Sequence, residues 1–334
     1  MRRSVAPPRG ACDAPRPLLA CARMVPRKQV SSVLPLVTLL ALAGACGDDG
    51  GASTTEGAGS TGAGSTGDGG ASTGASTGAA DGVDVAIQFS GAVGPKPFSC
   101  GTTYDNIGSS GSTVDVMDFR FYVHGVELLT KDGAAVPLEL TQDGVWQYED
   151  LALIDLEDGS GSCANGSTDL NTKVVGKAPA GDYDGVRFKL GVPFALNHAD
   201  AAVAPSPLNL TPLFWSWQFG YKFARVDLKS AAQDLWAIHL GSTGCEMDGD
   251  NNVTGCMAEN RPTVELTGFD PTSKPITVDI LALIASADVD VNQEGTAPGC
   301  MSEPADLDCA PVFAALGLPF GGAQATPQTF FSVR

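Results

Sequence analysis

From Val83 onward the apolar residues of this chain recur at every second position, and almost nowhere at the three-and-four spacing of a helix face. Val83, Val85, Ile87 and Phe89 alternate; so do Phe119, Phe121 and Val123, and then Val186, Phe188 and Leu190 against Arg187 and Lys189. A period of two puts successive side chains on opposite faces, so each run reads as a strand with one buried face. Further strands are expected over residues 136–140, 146–156, 213–228, 235–240, 262–269 and 276–284, separated by clusters of Gly, Pro, Asn and Asp. About nine or ten strands across residues 83–334, without alternating long helices, predict an all-β fold, an antiparallel β-sandwich with long disulfide-stapled loops and little helix. Only residues 310–318 read as a short helix.

The first 82 residues read differently. Residues 24–45 run from Met24 through Arg27 and Lys28 into an apolar stretch and then small residues before Cys46, the pattern of a bacterial signal peptide ending in a lipobox, with cleavage at a nearby non-lipidated site as the alternative. The apolar stretch is shorter than the roughly twenty residues of a spanning helix, so the expected membrane anchor is lipid on Cys46 alone. Residues 1–23 precede the plausible start at Met24 and read as a mis-annotated upstream segment. Residues 46–82 join the lipidated cysteine to a tract of Gly, Ser, Thr and Ala with repeated STGA units, which cannot bury a core and reads as a disordered tether. The chain is therefore expected to be exported, as an outer-membrane lipoprotein facing the periplasm or the cell surface.

Charge excludes one large class of partners. The chain carries 20 Lys and Arg against 38 Asp and Glu, a net charge of −18, so it lacks the basic face that nucleic acid requires. Of nine cysteines, Cys12 and Cys21 precede the expected start and Cys46 takes the lipid, which leaves an even set: Cys100, Cys163, Cys245, Cys256, Cys300 and Cys309. In an exported protein such a set reads as disulfides. The short spacings favour Cys245 with Cys256 and Cys300 with Cys309, leaving Cys100 for Cys163, although six cysteines permit fifteen pairings. No CxxCH occurs, so the chain carries no c-type haem of its own.

Residues 213–228 concentrate the aromatics. As one strand they would place Leu213, Trp215, Trp217, Phe219, Tyr221 and Phe223 on a single face, either a core face or, if exposed, a stacking platform for sugars. The chain has three histidines. His198 is expected in a loop after a strand, His239 at a strand end, and His124 half-exposed on the strand face opposite Phe119 and Phe121. Copper suits a site poor in histidine and rich in Trp and Met, because Cu(I) accepts two or three neutral nitrogen or soft sulfur ligands; Met257 and Met301, each following a cysteine, read first as packing residues and second as soft candidates. Asp248, Asp250 and Asn252 alternate as in a calcium loop but lack the closing bidentate Glu, so a solvated acidic turn competes with calcium there.

The strings GVPFALNHAD, FWSWQFGYKFARVDL and AIHLGSTGC, in that order among the cysteines, resemble the metallo-mystery pair system four-Cys motif family, the MbnP-like proteins. The resemblance covers essentially residues 83–334. It implies a copper-homeostasis protein, binding Cu(I) or Cu(II), encoded beside a dihaem c-type cytochrome of the MauG or peroxidase type that oxidises a Trp of its partner to kynurenine, as in the functionally related copper proteins MopE and CorA. Residue by residue, it implies His198 and His239 as the copper pair, with His124 third. Trp217, Trp215 and Trp236 are the candidates for modification; Trp236 lies three residues before His239, which in a regular strand puts the two on opposite faces.

GxSxG occurs only as GASTG at residues 70–74 and 74–78, where the repeated Gly, Ser, Thr and Ala composition produces it, and no HExxH or GxxxxGK is present, so nothing supports a hydrolase or nucleotide-binding enzyme. The chain is expected to be the substrate of its cytochrome partner with no turnover of its own. The rival expectations are a carbohydrate- or protein-binding sandwich that uses the aromatic stripe, and a copper enzyme that uses the histidines catalytically.

Overall fold

The structure, a computed structural model, describes residues 82–334. The expectations for the leader, for Cys46 and for the tether fall on residues outside those described.

The alternating runs pair into two sheets. In the smaller, Val83–Val93 pairs antiparallel with Lys173–Ala178 and parallel with Ile276–Asp279, which takes Phe331–Val333 on its other edge. The larger is built on Ser112–Thr130, a strand of 19 residues that pairs with Tyr183–Leu190 and Ala224–Ser230; Thr263–Thr267 and Trp236–Leu240 lie outside these two. Pairing is antiparallel except between Val83–Val93 and Ile276–Asp279 and between Trp236–Leu240 and Gly299–Cys300.

The two sheets are joined by the apolar faces that the alternation defines. Phe89 of the smaller sheet meets Phe121 and Phe188 of the larger with ring centroids 5.7 and 5.8 Å apart, and Phe331 packs on the same two rings at 5.6 and 5.2 Å, all edge to face. Each such ring contributes roughly 1.5–3 kcal/mol by burial, and the edge-on geometry adds to it. The result is the expected all-β sandwich.

Among the described residues α-helix is confined to Phe194–Asn197, Ile280–Ile284 and Cys309–Ala315, the last overlapping the expected one. The strand expected over residues 276–284 stops halfway: the Asp279 carboxylate accepts the N–H groups of Leu281 and Ala282 and caps Ile280–Ile284 as a helix. An apolar run such as ILALI suits either state, and the capping carboxylate decides. The strand expected over residues 146–156 is likewise divided into Gln147–Tyr148 and Leu151–Asp155, with Glu149 at a φ of 51° between them.

All three disulfides pair as the spacing suggested: Cys100 with Cys163, Cys245 with Cys256, and Cys300 with Cys309. Cys245 and Cys256 stand opposite one another on the hairpin Thr243–Met247/Val253–Ala258. At its turn, Asp248 accepts the backbone N–H groups of Asp250 and Asn252.

The outer face of the larger sheet is covered by loops. Tyr122 and Tyr221 donate their hydroxyls to the carbonyls of Pro207 and Leu208, drawing that loop over the sheet. His124, expected to be half-exposed, is buried at 8% exposure, and Asp118, Arg120 and Asp227 are buried as well. Burial, together with the nearby charges of Arg261 and Lys189, lowers His124 to a pKa of about 4.

Candidate metal centre

Residues 213–228 do not form one strand. Phe214–Ser216 turns back on Gly220–Tyr221, and the chain then re-enters the larger sheet as Ala224–Ser230. Two local features make the turn. The Ser216 hydroxyl accepts the Phe219 N–H at 3.3 Å, and Gly220 takes a φ of +73°, where a Cβ would also lie 2.4 Å from the Asn197 side chain. The single aromatic face is therefore lost. Leu213, Tyr221 and Phe223 are in the core, Trp215 is half-buried, and Trp217 and Phe219 are 43% and 55% exposed at the tip. The sequence signal for this break was the glycine in WQFGY, which the alternation on either side obscured.

Both copper-candidate histidines touch this hairpin, at different points. The His198 imidazole lies 2.8 Å from the Trp217 carbonyl through Nδ1, which donates there, and 3.1 Å from the Asn197 amide through Nε2. Asn197 has its Oδ1 committed to the Tyr221 N–H, so its Nδ2–H group faces His198 and caps the Nε2 lone pair. The Cys256 sulfur lies 3.6 Å from the same nitrogen, and burial lowers the His198 pKa. Both nitrogens of His198 are thus engaged in holding the hairpin.

His239 is disposed the other way. It is 6% exposed, its Nε2 lies 2.8 Å from Asp227 Oδ1, and its Nδ1 is buried with no partner. The Trp215 ring lies over it at a centroid distance of 6.3 Å. Gly241 makes room for that indole: a Cβ there would sit 2.4 Å from Trp215 Cζ3. Trp215 also lines a cavity of about 650 Å3 together with Phe219, Thr243, Met257, Met301 and Glu303. The two methionines singled out as soft candidates therefore open on the same space as the tryptophan that covers His239.

Asp227 and its neighbours escaped the sequence reading. Arg225 donates through Nε and Nη2 to Asp227 Oδ2 at 2.9 and 2.6 Å and stands 3.2 Å from Asp118, which pairs in turn with Arg120. A buried row of alternating charge thus runs across the sheet and ends on His239. Burial alone would raise Asp227; the His239 hydrogen bond and the Arg225 charge bring it below the usual carboxylate range. Burial outweighs the Asp227 contact at His239 and keeps that imidazole below its ordinary pKa, a neutral ring. The signal in the sequence was a pair of Asp–Arg repeats at period two, DFR and RVD, on strands whose other face is core.

Trp236 is 1% exposed, and its indole N–H donates to the Val291 carbonyl at 3.2 Å. It lies on the face of its strand away from His239, as the offset of three implies, and belongs to the core. No hydrogen bond or ring contact joins His198, His239 and His124 to one another among the described residues.

A disulfide-stapled β-sandwich with a histidine and a tryptophan joined at the end of one sheet is the class that the geometry defines. The chain belongs to the MbnP family, whose model matches residues 83–302. Among solved structures it is similar to MbnP from Methylosinus trichosporium, with a TM-score of 0.67 and 32% identity over 76% of this chain and 99% of that one. No curated protein matches it.

Proposed function

We propose that this protein is an exported, lipid-anchored copper-binding protein and the substrate of a dihaem c-type cytochrome of the MauG or peroxidase type, which oxidises Trp215 to kynurenine. The observation that carries the reading is the Trp215–His239 pair, a half-buried indole lying over an imidazole whose Nδ1 is buried and unpartnered. A buried nitrogen with a free lone pair costs desolvation energy unless something binds it, and copper fits that donor.

Indole offers a metal no basic nitrogen. Oxidative opening of its five-membered ring exchanges one carbon for one oxygen and leaves an aryl amine and a ketone, either of which can face a metal held by His239. The thioethers of Met257 and Met301 border the same cavity and add soft donors suited to Cu(I). His198 contributes by fixing the hairpin that carries Trp215, and reaches copper only if Asn197 releases its Nε2. Trp217, exposed at the hairpin tip, is the second candidate for oxidation. The protein's own part is to hold and orient these groups, with no turnover of its own.

Mass spectrometry of the protein isolated from its native host tests this. The expected result is a Trp215 peptide with the mass change of carbon exchanged for oxygen, and copper retained by the wild type but lost in His239→Ala. Unmodified tryptophans together with no copper bound on titration would overturn it.

A further inference from the structure

The hydrogen bonds around Asp227 specify more than a partner for His239. They set which of its two nitrogens carries the proton. A neutral imidazole has one N–H donor and one bare acceptor nitrogen, and the choice follows from what each nitrogen faces. Nε2 faces the Asp227 carboxylate at 2.8 Å, which only accepts, so the proton is on Nε2. Nδ1 is then the bare nitrogen, and it is buried without a partner in the imidazole that the Trp215 ring approaches.

We infer that Asp227 is the positioning residue of the centre: it holds His239 as the Nε2–H tautomer and so presents Nδ1 as the metal-binding atom. This rests on the reading of Trp215 and His239 as a metal centre. It adds the ligand atom and the residue that prepares it before any metal arrives. Carboxylates that take the distal N–H of a metal-bound histidine act in this way generally, fixing the ring's orientation and making the bare nitrogen more basic.

The inference extends one residue further, to Arg225. Its Nε and Nη2 both donate to Asp227 Oδ2, the oxygen that does not face His239. Arg225 therefore determines which way round an amide would sit in place of the carboxylate. In Asp227→Asn the amide oxygen stays on the arginine and the NH2 group turns to His239. Nε2 must then accept, the proton moves to Nδ1, and the metal-binding lone pair is removed without loss of side-chain volume.

The experiment is nitrogen-15 NMR of the histidine side chains in protein isolated from its native host grown on labelled ammonium, first metal-free and then with Cu(I), which is diamagnetic. In the metal-free wild type, His239 is expected to show a protonated Nε2 and a bare Nδ1, and Cu(I) is expected to shift Nδ1 while Nε2 keeps its proton. In Asp227→Asn the two nitrogens are expected to exchange roles before any metal is added, and copper affinity to fall about 10- to 100-fold. A metal-free wild type protonated on Nδ1 overturns the inference whatever copper does. So does Cu(I) bound through Nε2, an outcome that leaves copper binding itself intact. No copper-dependent shift anywhere, with the tautomer as stated, overturns the proposed function and the ligand assignment but not the control by Asp227. If Asp227→Asn fails to fold, the two wild-type measurements decide by themselves.

Discussion

Gly241→Ala isolates the contact that builds the proposed centre. Gly241 is not among the glycines held at positive φ, so alanine brings no backbone strain there. Its effect is steric: the new methyl would lie 2.4 Å from Cζ3 and 3.0 Å from Cη2 of Trp215, and 3.0 Å from the Tyr221 carbonyl. Carbon atoms rest about 3.5–4.0 Å apart, so the indole has to withdraw by about 1 Å or more from its place over His239. Overpacking of this kind costs about 1–3 kcal/mol. The assay is a double-mutant cycle with Trp215→Ala, read by urea denaturation. With the indole gone the two closest contacts of the methyl are relieved, and a coupling energy of about 1 kcal/mol or more is expected between the two positions. The copper affinity of Gly241→Ala should fall at the same time, because the ring and the imidazole no longer register. A stability cost that is the same with and without Trp215 would refute the placement of the indole against this glycine.

Other tests address the frame around the site. His124 is neutral in the folded state with a pKa of about 4 and protonates near 6.5 when unfolded, so unfolded chains bind the extra proton between those values. Stability should therefore fall as pH drops from 6.5 through 4, by about 3 kcal/mol for this group, and His124→Gln should remove that part of the acid limb in denaturation curves. Asp155 has the opposite sign: burial raises it to about 8, so its contribution is lost as pH rises from about 4 to 8, and Asp155→Asn should flatten that decline. Asp118→Ala leaves Arg120 and Arg225 buried without their shared carboxylate and should cost about 3–5 kcal/mol in a guanidinium melt. Removing Cys100–Cys163, with a separation of 63 residues, should cost about 4 kcal/mol by loop entropy, against about 2.5 kcal/mol for Cys300–Cys309, separated by 9.

The sandwich was legible because alternation is a local signal: Ile87, Phe121 and Phe188 announce their faces without knowledge of the partner sheet. Loop closure by cysteine was legible for a similar reason, since short spacings favour local pairs. Three things were not. The turn at Gly220 was masked by aromatics alternating in phase on both sides of it. The helix after Asp279 was masked by side chains that suit strand and helix alike, and only the cap distinguished them. The burial of His124 and Asp227 depends on what the fold packs over their face of the sheet, and no property of the residues themselves reports it. The histidines were found by scarcity, but their different readiness for a metal lies in Asn197 and Asp227, which only the fold brings to them.

The smaller sheet draws its strands from both ends of the described chain. Val83–Val93 lies against Ile276–Asp279, which lies against Phe331–Val333, and Phe330 and Phe331 are buried among the rings of the core. Val83–Val93, the first described strand to leave a ribosome or a translocon, thus waits for partners roughly two hundred residues behind it, and contacts so distant in sequence make folding slow. The sandwich cannot close on a partly delivered chain. Folding of the described domain is in effect timed by the arrival of Phe331–Val333, and loss of that segment together with Phe330 should leave Ile276–Asp279 with an open edge and the core without two of its rings.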